Sequence, residues 1–302
     1  MSTQTTSTQP RSTRPANALA TRFAPSPNGH LHPGHAFSAL TAWDWANANH
    51  ARFLLRIEDT DRTRSRLEFE QSQLEDLAWL GLEWETPVRR QSEHMADYQK
   101  GLDRLTQLGV IYPCFCTRKD ITEAAIAPHG PDGVIYSGTC RHLSQDVRAT
   151  RIAEGTAHAL RMDVTRALAI AERLKGNRLT VTEQGSGPQG ETGRLPVDPT
   201  PMGDAVITRK DGVIAYHLAV VMDDAAQGIT HIIRGQDLFF ATPLHRVLQV
   251  LLDLPEPAYH HHRLITDDTG ERMAKRRGSK TLRDLRAEGT TPDDIRRLVG
   301  LG

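Results

Sequence analysis

Long apolar runs are missing from this sequence. None approaches the roughly 20 residues that span a bilayer, so no membrane-spanning segment is expected. Neither charge is in surplus, with 37 Lys plus Arg against 37 Asp plus Glu. Any nucleic-acid partner would therefore be held by local basic patches and not by the field of the whole protein. Cysteine is scarce: the three present make an odd count, two of them one residue apart. That pattern argues against a disulfide framework and for a reducing compartment. What remains is an ordinary globular composition, 38% hydrophobic and 25% charged over 302 residues. Such a chain can bury a substantial core, as two domains or as one with a large insertion. The first 18 or so residues are rich in Ser, Thr and Gln with two arginines and no acid, and they read as a disordered tail over about 1–20. An organelle-targeting peptide shares that composition but carries an amphipathic apolar face, which this segment lacks.

The rest of the chain is organised around the stretch 22–35, RFAPSPNGHLHPGH. Pro25, Pro27, Asn28 and Gly29 cannot continue a strand or begin a helix, so the chain turns sharply after Phe23. Pro33 and Gly34 then open AFSALTAWDWANA, whose Ala and Leu content favours helix, with Pro near the first turn. Free backbone N–H groups at that start, Gly34 as a flat floor, and His32 and His35 as donors together suit a phosphate site. Spacing alone leaves open that the two histidines simply sit in a surface loop.

ARFLLRIEDTD reads next as a short buried strand, Phe53 to Ile57, ending on Glu58, Asp59 and Asp61. Ligands of open α/β sheets sit beyond the carboxyl ends of strands, which makes Glu58 a candidate to hold a cation such as an amino group. Asp61 fits as the cap of the following helix. In that helix Leu67, Leu74, Leu77 and Leu80 form one apolar face, and Gly81 ends it. A second amphipathic helix runs from about Met95 to Leu108 and stops at Gly109.

At Tyr112 the character changes. Cys114 and Cys116 stand at Cys-x-Cys spacing, and Tyr136 and Cys140 follow a loop rich in Pro and Gly. Three thiolates with one further ligand would close a tetrahedral structural zinc site. His129, His142 and Tyr136 all remain open as the fourth ligand, with the histidines the better donors on general grounds, and three small buried cysteines remain the simpler alternative. From His158 to Thr182 the pattern is mixed, and 185–203 reads as a surface loop. The segment of about 113–203 resembles an insertion between two parts of one sheet.

The α/β pattern then resumes. GITHIIRG reads as a strand with alternating Ile229, His231 and Ile233, ending at Arg234 and Gly235. Thr242 is placed to cap the next helix with Pro243 at its first position. Arg234 thus resembles Glu58 in placement, available for a carboxylate or phosphate. Tyr216 is either a core aromatic or a ligand contact. His260, His261 and His262 point in alternating directions and make a poor metal tract. TGERMAKRRGSKT carries Lys275 in a Gly-bounded loop, within a C-terminal stretch (261–302) of ten basic and seven acidic residues. It reads as a solvated basic loop, a nucleic-acid backbone contact, or a mobile arm that closes on a triphosphate.

Taken together, HPGH at 32–35 resembles the first signature of class I aminoacyl-tRNA synthetases and RMAKR at 272–276 the second, usually written KMSKS. With RFAPSPNG and RIEDTD around the first, and YHLAVVMDDAAQGITHIIRGQDL downstream, the chain resembles the glutamyl branch over most of residues 21–280. Roughly 20 residues follow the lysine loop, where a full glutamyl-tRNA synthetase continues into a stem-contact region and an anticodon-binding domain. That outline is similar to the short, zinc-bearing glutamyl-queuosine tRNA(Asp) synthetase family.

The resemblance implies an α/β fold: a Rossmann-type parallel-sheet nucleotide-binding domain in two halves, 21–112 and 204–260, around a zinc-bearing insertion at 113–203. A lysine loop and short helical segment would fill 261–302, with no anticodon-binding domain. It implies a cytoplasmic, monomeric ligase that activates L-glutamate with ATP and Mg²⁺ and transfers it to the queuosine base of tRNA(Asp). The zinc ligands by resemblance are Cys114, Cys116, Tyr136 and Cys140, which favours Tyr136 over the histidines. His32, Gly34, His35 and Lys275 would bind ATP, with His32, His35 and Lys275 catalytic. Glutamate needs a cation for each carboxylate and an anion for its ammonium; Arg22 and Arg234 fit the former, Glu58 the latter, with Ser26 and Tyr216 as hydrogen-bonding partners. Position 217 is His where relatives commonly carry Asn, and Arg272 and Ala274 replace the Lys and Ser of the second signature. A minimal glutamyl-tRNA synthetase charging a tRNA 3′ end, and a silent tRNA-binding paralogue, are the competing readings.

Overall fold

Strands and helices alternate from the first described residues. The structure is a computed structural model that describes residues 18–123, 135–266 and 280–302. The first part contains β1 (Ala20–Phe23), α1 (Pro33–Ala48), β2 (Arg52–Ile57), α2 (Leu67–Trp79), β3 (Glu85–Arg90) and α3 (Met95–Gln107). The middle contains β4 (Ile111–Cys114), α4 (Arg118–Glu123), α5 (Gln145–Ala153), β5 (Ala159–Met162), α6 (Val164–Lys175), β6 (Thr180–Glu183), β7 (Gly193–Pro196) and β8 (Ala205–Thr208). Then come α7 (Tyr216–Ala226), β9 (His231–Gly235), α8 (Thr242–Leu251), β10 (Ala258–His262), α9 (Leu282–Ala287) and α10 (Pro292–Leu298).

β1, β2 and β3 pair in parallel, as do β9 with β10 and β10 with β6. The Thr230 N–H donates to the Ala20 carbonyl at 3.0 Å and stitches the two parallel groups together. The α/β architecture with a parallel sheet is therefore as the sequence suggests. β7 adds antiparallel to β6 at the edge, whereas β4, β5 and β8 form a separate antiparallel sheet. The middle stretch thus contributes strands to both sheets. Residues 185–203 are not all loop, because Gly193–Pro196 form β7.

The parallel strands are covered on both faces, and successive residues divide between two cores. In β2, Phe53 and Leu55 join the core under α1, and Leu54 joins the core containing α3, α7 and α8. The same two-sided burial corrects the expected alternation in β9, where Ile232, Ile233 and Arg234 are buried in succession. Two caps also differ from expectation. Asp61 closes its own turn, accepting from the N–H and Oγ1 of Thr63, and α2 begins six residues on, after Arg66, with no side-chain cap. Thr242 lies inside α8, whose cap is Ala241, because its hydroxyl is bonded to Arg234. Leu67 is 67% exposed at the start of α2 while Leu77 is 1% exposed, so the apolar face of α2 begins a turn later than the leucine spacing indicates.

We expect Leu77→Ala to cost about 2–5 kcal/mol by leaving a cavity, and Leu67→Ala to stay within about 0.5 kcal/mol. Urea unfolding followed by far-UV circular dichroism measures both, and equal costs would show that the core boundary on α2 is misdrawn.

Candidate functional site

β1 feeds β2 on one side of the sheet through α1, and β9 feeds β10 on the other through α8. The chain therefore reverses its direction of travel between β1 and β9, and ligands of such sheets bind beyond the carboxyl ends at that point. A cleft of about 350 Å³ lies there. Arg22, Ser26, His32, Gly34, His35, Glu58, Tyr216 and Arg234 all line it, so the structure brings together every substrate and ATP candidate that falls among the described residues. Asn28, Ser38, Asp237 and His262 line it as well and are not among the substrate or ATP candidates read from the sequence. Their signal was positional: each sits in or beside a segment that already supplies a lining residue.

The turn after β1 is pinned from three directions. Glu58 N–H donates to the Pro25 carbonyl at 3.0 Å, Arg66 N–H to Pro27 at 2.9 Å, and Gln73 Nε2 to Ser26 and Gly29 at 3.0 and 2.8 Å. The start of α1 differs from the expected row of open N–H groups. His32 Nδ1 accepts from the Gly34 N–H at 3.1 Å, and His35 Nδ1 accepts from the His32 N–H at 3.2 Å. An imidazole that accepts at Nδ1 carries its proton at Nε2 when neutral. Both histidines thus close the helix start through Nδ1 and carry an N–H at Nε2, a donor of the kind that phosphate oxygens take at helix starts.

Glu58 is the acid at the end of β2 that lines the cleft. Its Oε1 accepts from Arg56 Nη2 at 3.0 Å, and burial pushes its carboxyl pKa up against the pull of Arg56. Asp59 instead accepts from the N–H and Oγ of Ser92, and Asp61 pairs with Arg209; neither lines the cleft. Arg22 is 5% exposed and makes a two-pronged contact with Asp224, Nε to Oδ1 at 2.9 Å and Nη2 to Oδ2 at 3.2 Å. Arg56, fully buried, donates to the same Asp224 Oδ1 at 2.6 Å. Asp223 accepts from Arg89 Nε at 2.7 Å, Gln91 Nε2 at 2.8 Å and Tyr98 Oη at 2.9 Å. Sequence reasoning missed Arg56 and both aspartates. The signals were a charge inside an apolar strand and an acid pair inside an apolar helix, each of which must find a partner once buried.

Arg234, 4% exposed, donates to His261, His245, Thr242 and the Leu238 carbonyl. Tyr216 meets His217 edge-on and His245 at a steep tilt, and burial raises its phenol pKa so that it stays a neutral donor. Of the three consecutive histidines, His261 bonds Glu183 and His262 bonds Ser38 Oγ at 3.0 Å; they serve the fold and the cleft wall.

The sulfurs of Cys114, Cys116 and Cys140 lie within 4.8 Å of one another. Cys116 and Cys140 are 3.5 Å apart, and Tyr136 Oη stands 3.7 Å from Cys116 Sγ. Tetrahedral zinc with Zn–S bonds of about 2.3 Å requires sulfurs about 3.8 Å apart, so the cluster fits that metal. His142 is not in the cluster. His129, the lysine loop with Lys275, and residues 1–17 lie outside the described residues. No helix of the described residues is long and apolar enough to cross a membrane.

Residues 18–301 match the family described as tRNA synthetases class I (E and Q), catalytic domain. The glutamyl-Q tRNA(Asp) synthetase of Rhodobacter capsulatus is 48% identical over 295 residues, covering 94% of this chain and 100% of that one. The protein of the same name from Nocardia farcinica is 44% identical, covering 93% and 83%. Among solved structures, glutamate-tRNA synthetase from Elizabethkingia anophelis superposes with a TM-score of 0.73 at 23% identity, covering 94% of this chain and 61% of that one, which speaks for the fold.

His217 is pushed down to about 4, by burial first and then by Arg234. An unfolded histidine titrates near 6.5. Between about 6.5 and 4 the unfolded chain therefore binds the extra proton, and the stability gained by burying neutral His217 is present above that window and lost as pH falls through it. The stability difference between wild type and His217→Asn should shrink by up to about 1.4 kcal/mol per pH unit on acidification, measured by urea unfolding. A difference that grows as pH falls would overturn the neutral assignment.

Proposed function

Because the chain belongs to the class I glutamyl- and glutaminyl-tRNA synthetase catalytic-domain family, we propose that it activates L-glutamate with ATP, as a ligase, and transfers it to the queuosine base of tRNA(Asp). The observation that carries the reading is the cleft itself. It sets the guanidinium groups of Arg22 and Arg234 and the carboxylate of Glu58 beside a helix start capped by two histidines, with Arg263 and Asp237 adding one more charge of each sign to the lining; the first three complement an amino acid with two carboxylates and one ammonium lying next to a phosphate chain. The names of the similar proteins supply the acceptor.

The chemistry follows from charge. The glutamate α-carboxylate attacks the α-phosphorus of ATP; the bond to the β-phosphate oxygen breaks, and pyrophosphate leaves with that electron pair. Arg22 and Arg234 hold the carboxylates and Glu58 the ammonium, so the nucleophile is aimed before it reacts. His32 and His35 donate from Nε2 to phosphate oxygens, and Lys275 neutralises charge on the departing pyrophosphate. Mg²⁺ accompanies ATP and shields its phosphates. In the second step an acceptor hydroxyl of queuosine attacks the glutamyl carbonyl and gives up its proton to solvent, and the bond from the carbonyl carbon to the phosphate oxygen breaks as AMP leaves, with no covalent enzyme intermediate. We assign Cys114, Cys116, Tyr136 and Cys140 to one structural zinc, which pins the loop around β4. We further assign the protein to the cytoplasm, acting as a monomer.

Lys275→Ala should lower glutamate-dependent pyrophosphate exchange at least about 10²-fold while glutamate binding by calorimetry is largely spared; near wild-type exchange would remove the lysine loop from the mechanism. The acceptor is tested with labelled glutamate, ATP and tRNA from cells with or without queuosine, followed by periodate oxidation of the tRNA 3′ end. Label that resists oxidation and requires queuosine is expected. Label lost with the 3′ diol would make the protein a minimal glutamyl-tRNA synthetase, and no label a silent paralogue.

For the metal, elemental analysis should find about one zinc per chain, and Cys140→Ser should lose it together with thermal stability. A metal-free native protein with an unchanged melting temperature would refute the zinc assignment.

A further inference from the structure

The two cleft arginines keep different company. Arg22 faces the carboxylate of Asp224. Every partner of Arg234 among the described residues is uncharged: Nε donates to His261 Nε2 at 3.0 Å, Nη1 to His245 Nδ1 at 3.2 Å, and Nη2 to the Leu238 carbonyl at 3.1 Å and Thr242 Oγ1 at 2.8 Å. The carboxylate belonging to this group stands one residue further back. Glu183, at the end of β6, places Oε2 2.5 Å from His261 Nδ1, and its Oε1 accepts from the backbone N–H of His261 at 2.9 Å and of Gly185 at 2.8 Å. Glu183 and His261 are 2% and 1% exposed. Gly185 lets the two strands close, since a Cβ there would lie 2.4 Å from the His261 carbonyl oxygen.

Donor and acceptor requirements then leave one pattern of protons. A guanidinium has only N–H donors, so His261 Nε2 must accept, and its proton sits on Nδ1 and goes to Glu183. His245 Nδ1 likewise accepts from Arg234, so His245 Nε2 carries the proton and donates to His217 Nδ1 at 3.1 Å. His217 in turn carries its proton on Nε2. Burial keeps all three rings neutral: it pushes His261 down to about 4 although Glu183 pulls the other way, and it holds His245 well below the ordinary range.

We propose that Glu183, His261 and His245 are positioning residues for Arg234, fixing its guanidinium at the cleft wall while leaving its positive charge uncompensated for a substrate carboxylate. A carboxylate in direct contact would fix the group equally well but would offset part of its charge, as Asp224, shared with Arg56, does for Arg22. The interposed imidazole separates orientation from neutralisation: it transmits the anchoring of Glu183 through two hydrogen bonds and keeps the anion a ring's width away. The inference rests on the reading of Arg234 as a carboxylate anchor.

Histidine-nitrogen NMR on the full wild-type chain near neutral pH reads the pattern directly, with signals assigned through His261→Gln, His245→Gln and His217→Asn. Nδ1–H at His261 and Nε2–H at His245 and His217 are expected; an imidazolium or the reversed tautomer at His261 would overturn the proposal. In pyrophosphate exchange, His261→Ala should raise the glutamate KM at least about tenfold and leave the ATP KM within about twofold. His261→Gln, whose amide accepts from Arg234 and donates to Glu183, should return the glutamate KM to within about threefold of wild type. Equal changes in both KM values, or no rescue by Gln in a folded protein, would assign His261 a purely structural role. Arg234→Lys separates the premise from the inference. An unchanged glutamate KM in that variant removes the anchor reading itself, whereas a raised KM there with none in His261→Ala removes only the positioning role.

Discussion

Two adjacent carboxylates on one apolar helix hold the catalytic face of the sheet in register. Asp223 and Asp224 are consecutive on α7, so their side chains diverge by about 100° around the helix. Asp224 takes Arg22 from β1 and Arg56 from β2, and Asp223 takes Arg89 from β3. Three parallel strands are thereby tied to the helix that packs across them. Buried ion pairs gain little against well-packed apolar residues, but losing one partner is expensive because the other charge is stranded. The value of this cluster is therefore geometric. Arg22 cannot turn away from the cleft without giving up its two-pronged contact with Asp224, and Glu58 cannot turn without giving up Arg56.

The same cluster sets the electrostatics of the cleft. Arg22, Arg56 and Arg89 are matched by Asp223, Asp224 and Glu58, and the group is neutral as a whole. Arg234 is the addition that makes the wall attractive to an anion, because its contacts are imidazole, hydroxyl and carbonyl. A neutral cluster beside a buried guanidinium whose hydrogen-bond partners carry no charge suits glutamate, whose two carboxylates outnumber its single ammonium. The histidine-capped start of α1 stands apart from this cluster, and the proposed function gives it the separate task of receiving phosphates.

Much of this was legible in the sequence, for identifiable reasons. The turn after Phe23 is dictated by Pro25, Pro27 and Gly29, and the end of β9 by Gly235, so Arg22 and Arg234 were placeable at strand ends from local chemistry alone. Glu58 followed from the same rule. What stayed hidden depended on contacts between distant segments. Arg22 meets Asp224 across 202 residues and Glu183 meets His261 across 78, and no local pattern pairs them. The caps were misassigned for the same reason: Asp61 and Thr242 are good cap residues, but Arg209 and Arg234 claim their oxygens. The three histidines at 260–262 looked idle as a run, and only strand pairing reveals that His261 faces Glu183.

Two of the side-chain contacts that join the stretch from β4 to just past β8 to the parallel sheet carry unequal weight. Arg209 beyond β8 reaches Asp61 beyond β2, but that pair is 43% and 20% exposed, and solvent-exposed ion pairs contribute at most about 1 kcal/mol. Glu183 at the end of β6 reaches His261 inside a buried interface in which its own carboxylate accepts two backbone N–H groups as well. A buried, fully hydrogen-bonded carboxylate cannot be released without leaving several groups unpaired. Register between this segment and the cleft is thus set at β6, and the surface pair follows it. Since β6 is also the strand that carries β7, the stretch after the cysteine cluster is partly a continuation of the catalytic sheet, and the carboxylate behind Arg234 comes from it.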